Sequence, residues 1–356
     1  MARKNHTFQL AERPQGLIVP GRTFNLVETD APTADQLKDG DILVETIWLS
    51  LDPSMRCWLY DRASYTKPTA IGEKMNGAAV ARVLASKSSK AKVGDLVFSI
   101  SGWTEVAIVS ETSPAPPEGL FEPIELPEGT IPRDALGAAG ITGLSAYFGM
   151  KHIGKPKPGE TVVVSAAAGA TGSVAGQIAK IWGARVVGIT GSDEKCELLT
   201  KQLGFDAAVN YKSPTFDEDL AKATPDNIDV YFDNVGGEIL EKAIDRAALR
   251  ARFVLCGCIS EYNKLDQVNK GGIRSTFDVI AKSIRMEGFI LWNHMPEFPE
   301  ARQQLGQWIA EGKLKRLETV VKGGLQVADS TIGYLFDGRN VGKLIVEVKS
   351  LEEASG

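Results

Sequence analysis

At 356 residues the chain exceeds what one ordinary core holds, which points to two domains. Hydrophobic residues at 43% and charged residues at 24% are ordinary globular values and set aside disordered and fibrous classes. The formal net charge of -5 lacks the basic footprint of a nucleic-acid binder, so no nucleic-acid partner is expected. The basic run KSSKAK at 87–92 reads as a solvated loop ahead of Gly94-Asp95. Behind the basic residues of the start, MARKNHTFQLAERP, there is no apolar run, so it does not read as a secretory signal. No stretch is apolar enough for a membrane helix, so no membrane partner is expected. Four cysteines (Cys57, Cys196, Cys256 and Cys258) are too few for a disulfide framework and fit a reducing compartment, the cytoplasm by default.

The first third is strand-rich. Residues 42–51, 78–84 and 95–109 are β-branched or aromatic runs separated by Gly, Pro and Asp, and 113–127 reads as a Pro-rich connecting loop. From 161 the texture changes. TVVVS at 161–165 is an apolar run without alternation, as in a strand buried on both faces. A helix is predicted over 174–182, a strand over 184–190, a helix over 193–203 and a strand over 207–210. A helix over 216–223, a strand over 228–232, a helix over 238–249 and a strand over 253–256 follow. Residues 285–291 and a helix over 297–311 complete the alternation. Repeated β-α units imply a doubly wound parallel sheet. The chain ends in a strand at 342–348 able to return to the first domain.

The strongest motif runs Ser165-Ala-Ala-Ala-Gly169-Ala-Thr-Gly172-Ser-Val-Ala-Gly176, between a predicted strand and a predicted helix. Gly169 and Gly172 let backbone N–H groups of Ala170, Thr171 and their neighbours approach a pyrophosphate at a helix N-terminus. Gly176 permits close helix–sheet packing. Ala167 stands where the usual fingerprint has its first Gly. A Gly/Ala-rich joint without a ligand is the bland alternative.

An NAD enzyme places a carboxylate at the end of the second strand to hold the ribose hydroxyls. Here that position reads Ile189-Thr190-Gly191-Ser192, with Lys195 in the next helix and Tyr211 after the next strand. A missing acid, the room left by Gly191 and a nearby cation suit a 2′-phosphate, hence NADP(H). Asp193 and Glu194 leave open a plain solvated lysine. No metal is expected: His6, His152 and His294 are scattered in sequence, Cys57 is solitary, and Cys256-Gly-Cys258 sits where a nicotinamide edge would lie. No Gly-x-Ser-x-Gly elbow suggests a hydrolase.

Several of these stretches carry a family pattern between 49 and 348: Leu51-Asp-Pro-Ser-Met-Arg56, Ser101-Gly-Trp103-Thr-Glu105, GITGLSAY at 140–147 and the Gly loop. Asn210-Tyr211-Lys212, Phe232-Asp-Asn234, Cys256-Gly-Cys-Ile-Ser260-Glu-Tyr262 and Asn340-Val-Gly342-Lys343 continue it. The chain resembles the zinc-independent medium-chain dehydrogenase/reductases, within them the leukotriene B4 12-hydroxydehydrogenase/prostaglandin reductase and 2-alkenal reductase group. The resemblance implies an α/β fold: a GroES-like β-rich catalytic domain (1–130 and 314–356) with an inserted Rossmann domain (131–313), and a homodimer. It implies Lys195 and Tyr211 at the 2′-phosphate, and Asn234, Cys256, Tyr262, Phe289 and Asn340 around the ribose, nicotinamide and pyrophosphate. Each has a plain alternative: Phe289 as core, Asn340 as a turn residue, Cys256 as a small buried hydrophobe. The family's Asp-Pro-Tyr-Met-Arg has Ser54 for Tyr, and Cys57 then Trp58 follow Arg56, so the substrate entrance is altered.

The implied activity is NADPH-dependent hydride addition to the β-carbon of an enal or enone, without metal. Such a site must stabilise the developing oxyanion and supply a proton. Tyr262 and the cofactor ribose hydroxyl are the candidate donors; a structural loop tyrosine and a water-borne proton are the alternatives. Ser54, Arg56, Trp58 and Trp103 are candidate substrate-pocket residues, with Trp48 and Trp292 as further apolar wall. An NADPH quinone reductase and a non-catalytic NADP(H)-binding protein are the competing readings.

Overall fold

The computed structural model describes residues 2–62, 64–112, 119–125, 127, 129–265 and 272–352. Among these residues no helix is long and apolar enough to cross a membrane.

Six parallel strands form one sheet, in the spatial order Ala207–Asn210, Arg185–Thr190, Thr161–Val164, Ile228–Asp233, Ala247–Leu255 and Arg285–Gly288. Numbered along the chain this is the doubly wound order 3-2-1-4-5-6, with a crevice where the winding reverses, beyond the carboxyl ends of strands one and four. Side-chain alternation assigns the faces. Val162 and Val164 join one buried cluster with the helices Ile141–Phe148, Ala170–Ile181 and Phe298–Ala310, while Val163 joins the opposite one with Phe216–Ala223 and Gly237–Asp245. β-branched residues buried on both faces explain why this run carries no polar alternation.

Two expectations are corrected here. Residues 247–249 do not continue the helix predicted over 238–249. The helix stops at Asp245, and Ala247 pairs with Ile228 at the start of the fifth strand. Pairing of Ala247 with the fourth strand, continued by residues 252–255 between the fourth and sixth strands, outweighs the helical propensity of Ala247, Ala248 and Leu249. Within 113–127, Phe121–Pro123 is a strand at the edge of a second sheet, where the missing proline N–H costs nothing. Residues 113–118 and 126 of that stretch lie outside the described residues.

The second sheet has the order Glu318–Lys322, Lys343–Glu347, Asp41–Leu51, Ala79–Ser86, Leu96–Ser99 and Phe121–Pro123, with Val106–Ser110 also paired to Asp41–Leu51. Its strands come from both ends of the chain: Leu344 opposes Leu51 and Val346 opposes Leu49. A two-stranded hairpin, Lys4–Leu10 with Phe24–Asp30, packs alongside.

A short strap enters this sheet next to the Rossmann crevice. Gly342 adopts φ +65°, and a Cβ there would fall 2.1 Å from the Leu317 carbonyl oxygen, so only glycine fits. Its N–H donates to the Ala168 carbonyl in the glycine-rich loop at 2.7 Å. The next residue, Lys343, is buried; its Nζ donates to the Leu51 carbonyl at 2.9 Å and to the Asp52 carboxylate. Burial lowers the Lys343 pKa, and Asp52 opposes that shift. Lys343→Met should therefore cost about 3–5 kcal/mol in urea denaturation, because it strands the largely buried Asp52 charge. The double variant Lys343→Met/Asp52→Asn should regain much of that loss. A single variant no worse than the double would refute the pairing.

Candidate active site

The glycine-rich loop carries the chain from the first strand into Ala170–Ile181. Gly169 is the N-cap in extended backbone, and no side chain caps the helix. The N–H groups of Ala170, Thr171 and Gly172 therefore face the crevice without intrahelical acceptors, a cradle for an anion. A Cβ on Gly172 would lie 2.4 Å from the Ala166 carbonyl oxygen, and one on Gly176 would lie 2.0 Å from the Phe205 ring. The loop is thus shaped by what it must not carry. Ala167 does not belong to the cradle surface: it is wholly buried and its N–H donates to the Ile189 carbonyl at 3.0 Å. It joins the first strand to the second, and its predicted contact with a cofactor is corrected to a role in the scaffold.

At the end of the second strand a cationic corner assembles. A Cβ on Gly191 would meet the Tyr211 ring at 3.0 Å, so the missing side chain lets the ring lie over the backbone. Ser192 caps the next helix by accepting from the Lys195 N–H. The Lys195 Nζ donates to the Gly338 carbonyl at 2.7 Å and to the Asn340 carbonyl at 2.9 Å, so this corner is tied to the strap. Lys212, which sequence reasoning did not single out, lies with its Nζ 5.8 Å from the Tyr211 ring centre. Partial burial, then the charge of Lys212, lowers the Lys195 pKa, a cost that an anionic ligand would reverse. Asn340 is buried and spends its side-chain amide on the Gly342 carbonyl at 2.9 Å, so it props the strap.

Between strands one and four, buried Asp233 laces the crevice floor. One carboxylate oxygen, Oδ1, accepts from the Ser165 hydroxyl (3.0 Å), the Tyr231 hydroxyl (3.2 Å) and the N–H groups of Val235 and Gly236 (3.0 Å each). Desolvation raises its pKa against these four donors. The Ser165 oxygen in turn accepts from the Asn234 N–H, and the Asn234 amide donates to the Ser165 carbonyl at 2.7 Å. Asn234 is thereby aimed by the lattice beneath it. The only sequence signal for Asp233 was its place between Phe232 and Asn234.

Tyr262 opens a helical turn after the fifth strand. Its hydroxyl accepts from the Cys258 N–H at 3.2 Å and passes so near Gly257 that a Cβ there would sit 2.9 Å away. With the acceptor side used, the phenolic hydrogen remains to be donated. Burial holds this phenol above its usual range. Burial also pushes the thiols of Cys57 and Cys256 up to about 12, so both are protonated near neutral pH. The Tyr262 carbonyl accepts from the Tyr60 hydroxyl at 2.9 Å, joining this turn to Pro53–Leu59, which carries Ser54 and Trp58.

Two predicted pocket residues are corrected. Arg56 is fully buried: its guanidinium donates to the carbonyls of Pro14 and Gly16 (2.9 Å each) and to the Asn263 side chain at 3.2 Å. It clasps both turns and lines no cleft. Trp103 is also fully buried, its ring 5.2 Å from Phe24 and 5.8 Å from Phe8, and Trp48 is core against Arg133. Trp58 is half-buried and donates from Nε1 to the Tyr65 hydroxyl at 3.2 Å, a residue sequence reasoning missed. Trp292 lines a shallow apolar recess with Phe98, Ile141 and Phe298; neither Tyr262 nor Ser54 lines it. Phe289 follows the sixth strand and packs against Gly149 and His294. The histidines are not all scattered: His152 and His294 stack beside Glu297, the one group of potential metal ligands among the described residues. It contains none of the crevice residues.

Residues 6–116 match a family model described as the N-terminal domain of oxidoreductase, and 170–310 match one described as zinc-binding dehydrogenase. An NADPH-dependent curcumin reductase from Escherichia coli is 38% identical over 97% of each chain. A 2-alkenal reductase (NADP(+)-dependent) from Nicotiana tabacum is 39% identical over 86% of this chain and 87% of its own. CurA from Vibrio vulnificus in complex with NADPH superposes with a TM-score of 0.87 at 37% identity, covering 97% of this chain and 99% of that one. The chain belongs to the zinc-independent medium-chain dehydrogenase/reductase family. It is an oxidoreductase of the NADP-dependent kind.

The lattice around Asp233 can be tested directly. Asp233→Ala strands four donors and should cost about 2–4 kcal/mol in thermal or urea unfolding. A loss below about 0.5 kcal/mol would mean that the carboxylate does not organise the crevice floor.

Proposed function

We propose that the protein reduces the activated C=C bond of α,β-unsaturated aldehydes and ketones, with NADPH as hydride donor. The observation that supports it most is the pairing of a cationic corner (Lys195, Tyr211, Lys212), at a strand end (189–192) without a carboxylate, with a phenol, Tyr262, whose hydrogen is free to be donated. The phosphate-sized cradle at 170–172 lies between them in the chain's own winding order, beside Asn234.

When bound, NADPH supplies hydride from its nicotinamide C4. The backbone N–H groups of Ala170, Thr171 and Gly172 would hold its pyrophosphate, and Lys195, Tyr211 and Lys212 its 2′-phosphate. Asn234, Cys256 and Phe289 would flank the nicotinamide half, and Gly191 lets the Tyr211 ring lie close at the adenosine end. Tyr262 donates a hydrogen bond to the substrate oxygen, directly or through the ribose hydroxyl, and so stabilises charge as the β-carbon is reduced. Its raised pKa makes it a poor proton source, so the α-carbon proton comes from water. Ser54, Trp58 and Tyr65 form the substrate side; a short serine beside a Trp–Tyr pair leaves space for a bulky apolar group.

The same reading makes the protein a cytoplasmic homodimer. The homodimer is supported by the edge position of Arg285–Gly288 among the described strands and by the exposed Phe277 and Ile280 of the helix before it, a sheet edge and apolar face for a second copy to cover.

NADPH oxidation assayed against enals, enones, nitroalkenes and quinones tests the chemistry. Loss of the enal or enone double bond is expected; turnover of quinones alone, or cofactor binding without turnover, would overturn it. Tyr262→Phe should lower kcat by about 10- to 100-fold with little change in NADPH affinity. Because burial raises the phenol, the wild-type kcat profile should show no loss from tyrosine ionisation below pH 10. Lys195→Ala/Lys212→Ala should weaken NADPH binding at least about tenfold and leave NADH binding unchanged. An equal loss for both cofactors would sink the 2′-phosphate assignment.

A further inference from the structure

The helix Ile141–Phe148 does not end cleanly. It runs into a π-helical turn, Gly149–Gly154, closed by the Lys155 N–H on the Met150 carbonyl at 2.7 Å, with Lys155 in left-handed backbone. Such turns insert a residue into the helical register, re-aim the side chains that follow, and recur at functional positions. Here the turn carries His152, whose ring stacks on that of His294 at 4.8 Å and 10°. Buried Phe148 lies parallel to both, 5.7 Å from His152 and 4.9 Å from His294, and backs the pair. Both imidazoles converge on one atom: Glu297 Oε1 lies 3.1 Å from His152 Nε2 and 3.4 Å from His294 Nδ1. The other carboxylate oxygen is taken by Lys151 Nζ at 3.1 Å.

We infer that His152, His294 and Glu297 form a binding site for one zinc-like divalent transition-metal ion, sharing no residue with the hydride-transfer crevice. Two imidazoles and one carboxylate are the donors that such ions prefer. The three ligand atoms lie within 4.8 Å of one another. A tetrahedral ion with bonds of about 2.0–2.1 Å holds its ligands roughly 3.3 Å apart, so modest ring rotations close the site. Lys151 keeps Glu297 monodentate through Oε1. The side chains are between 23% and 36% exposed, which leaves the fourth position to water. An occupied site ties the π-helical turn to Leu291–Glu297, the turn whose Trp292 and Met295 line the apolar recess. The inference stands independently of the reductase reading.

Calorimetric titration of the chelator-treated, NADPH-loaded protein with Zn²⁺ tests it, using His152→Gln, His294→Gln and Glu297→Gln variants with unchanged NADPH affinity as controls. One zinc per chain is expected, each substitution should weaken binding at least about tenfold, and zinc should raise the melting temperature of the wild type only. Co²⁺ in place of Zn²⁺ should give the visible absorption of a four-coordinate site in the wild type and lose it in the variants. Equal zinc affinity in the wild type and all three variants, or no binding at millimolar zinc, would overturn the assignment.

Discussion

A clasp two residues long ties the two sheets together beside the crevice. Gly342 gives its N–H to the glycine-rich loop, and Lys343 gives its buried ammonium to Leu51 and Asp52, at the root of the turn that carries Ser54. One backbone step therefore spans the distance between the anion cradle and the substrate side. The constraint is steric on one side, because a Cβ at 342 would collide with the Leu317 carbonyl. It is electrostatic on the other, because neither member of a buried ion pair tolerates loss of its partner. Lys195 is tied to the same strap through Gly338 and Asn340, so the cationic corner shares the anchor.

The crevice follows a consistent hydrogen-bond economy. Where a group serves the scaffold, its donors and acceptors are consumed: Asp233 takes four donors, Arg56 clasps two turns, and Ala167 spends its N–H on the neighbouring strand. Where a group faces the crevice, capacity is left over, as in the first-turn N–H groups at 170–172 and the Tyr262 hydroxyl hydrogen. Leftover capacity in an otherwise satisfied lattice is what a ligand can use. Raised thiol pKa values at Cys57 and Cys256 extend the same logic, since protonated thiols are poor nucleophiles toward electrophilic alkenes.

Much of this was legible in the linear chain. The unalternating run at 161–165, the Gly169/Gly172/Gly176 spacing and the acid-free end at 189–192 are local, because strand burial, loop sterics and charge each leave a mark on the residues that bear them. The cradle could be read from these, and the doubly wound sheet from the repeated β-α units around them; the strand order could not. Burial depth could not. Trp103 and Arg56 sit in motifs that suggest a pocket, yet a core cluster with Phe8 and Phe24 claims one and three backbone and side-chain acceptors claim the other. Both depend on partners roughly forty to two hundred residues away.

The chain by itself determined the class of its fold, the place of the anion cradle and the sign of charge at its far end, since each is written in contiguous residues by sterics and charge. Tertiary structure alone decided what those pieces are fastened to. It brought Lys343 under Asp52, Tyr60 onto the Tyr262 carbonyl, Tyr65 onto Trp58, and His152 against His294. Histidines 142 positions apart carry no spacing signal; only a π-turn and the return of the chain behind the sixth strand make them neighbours.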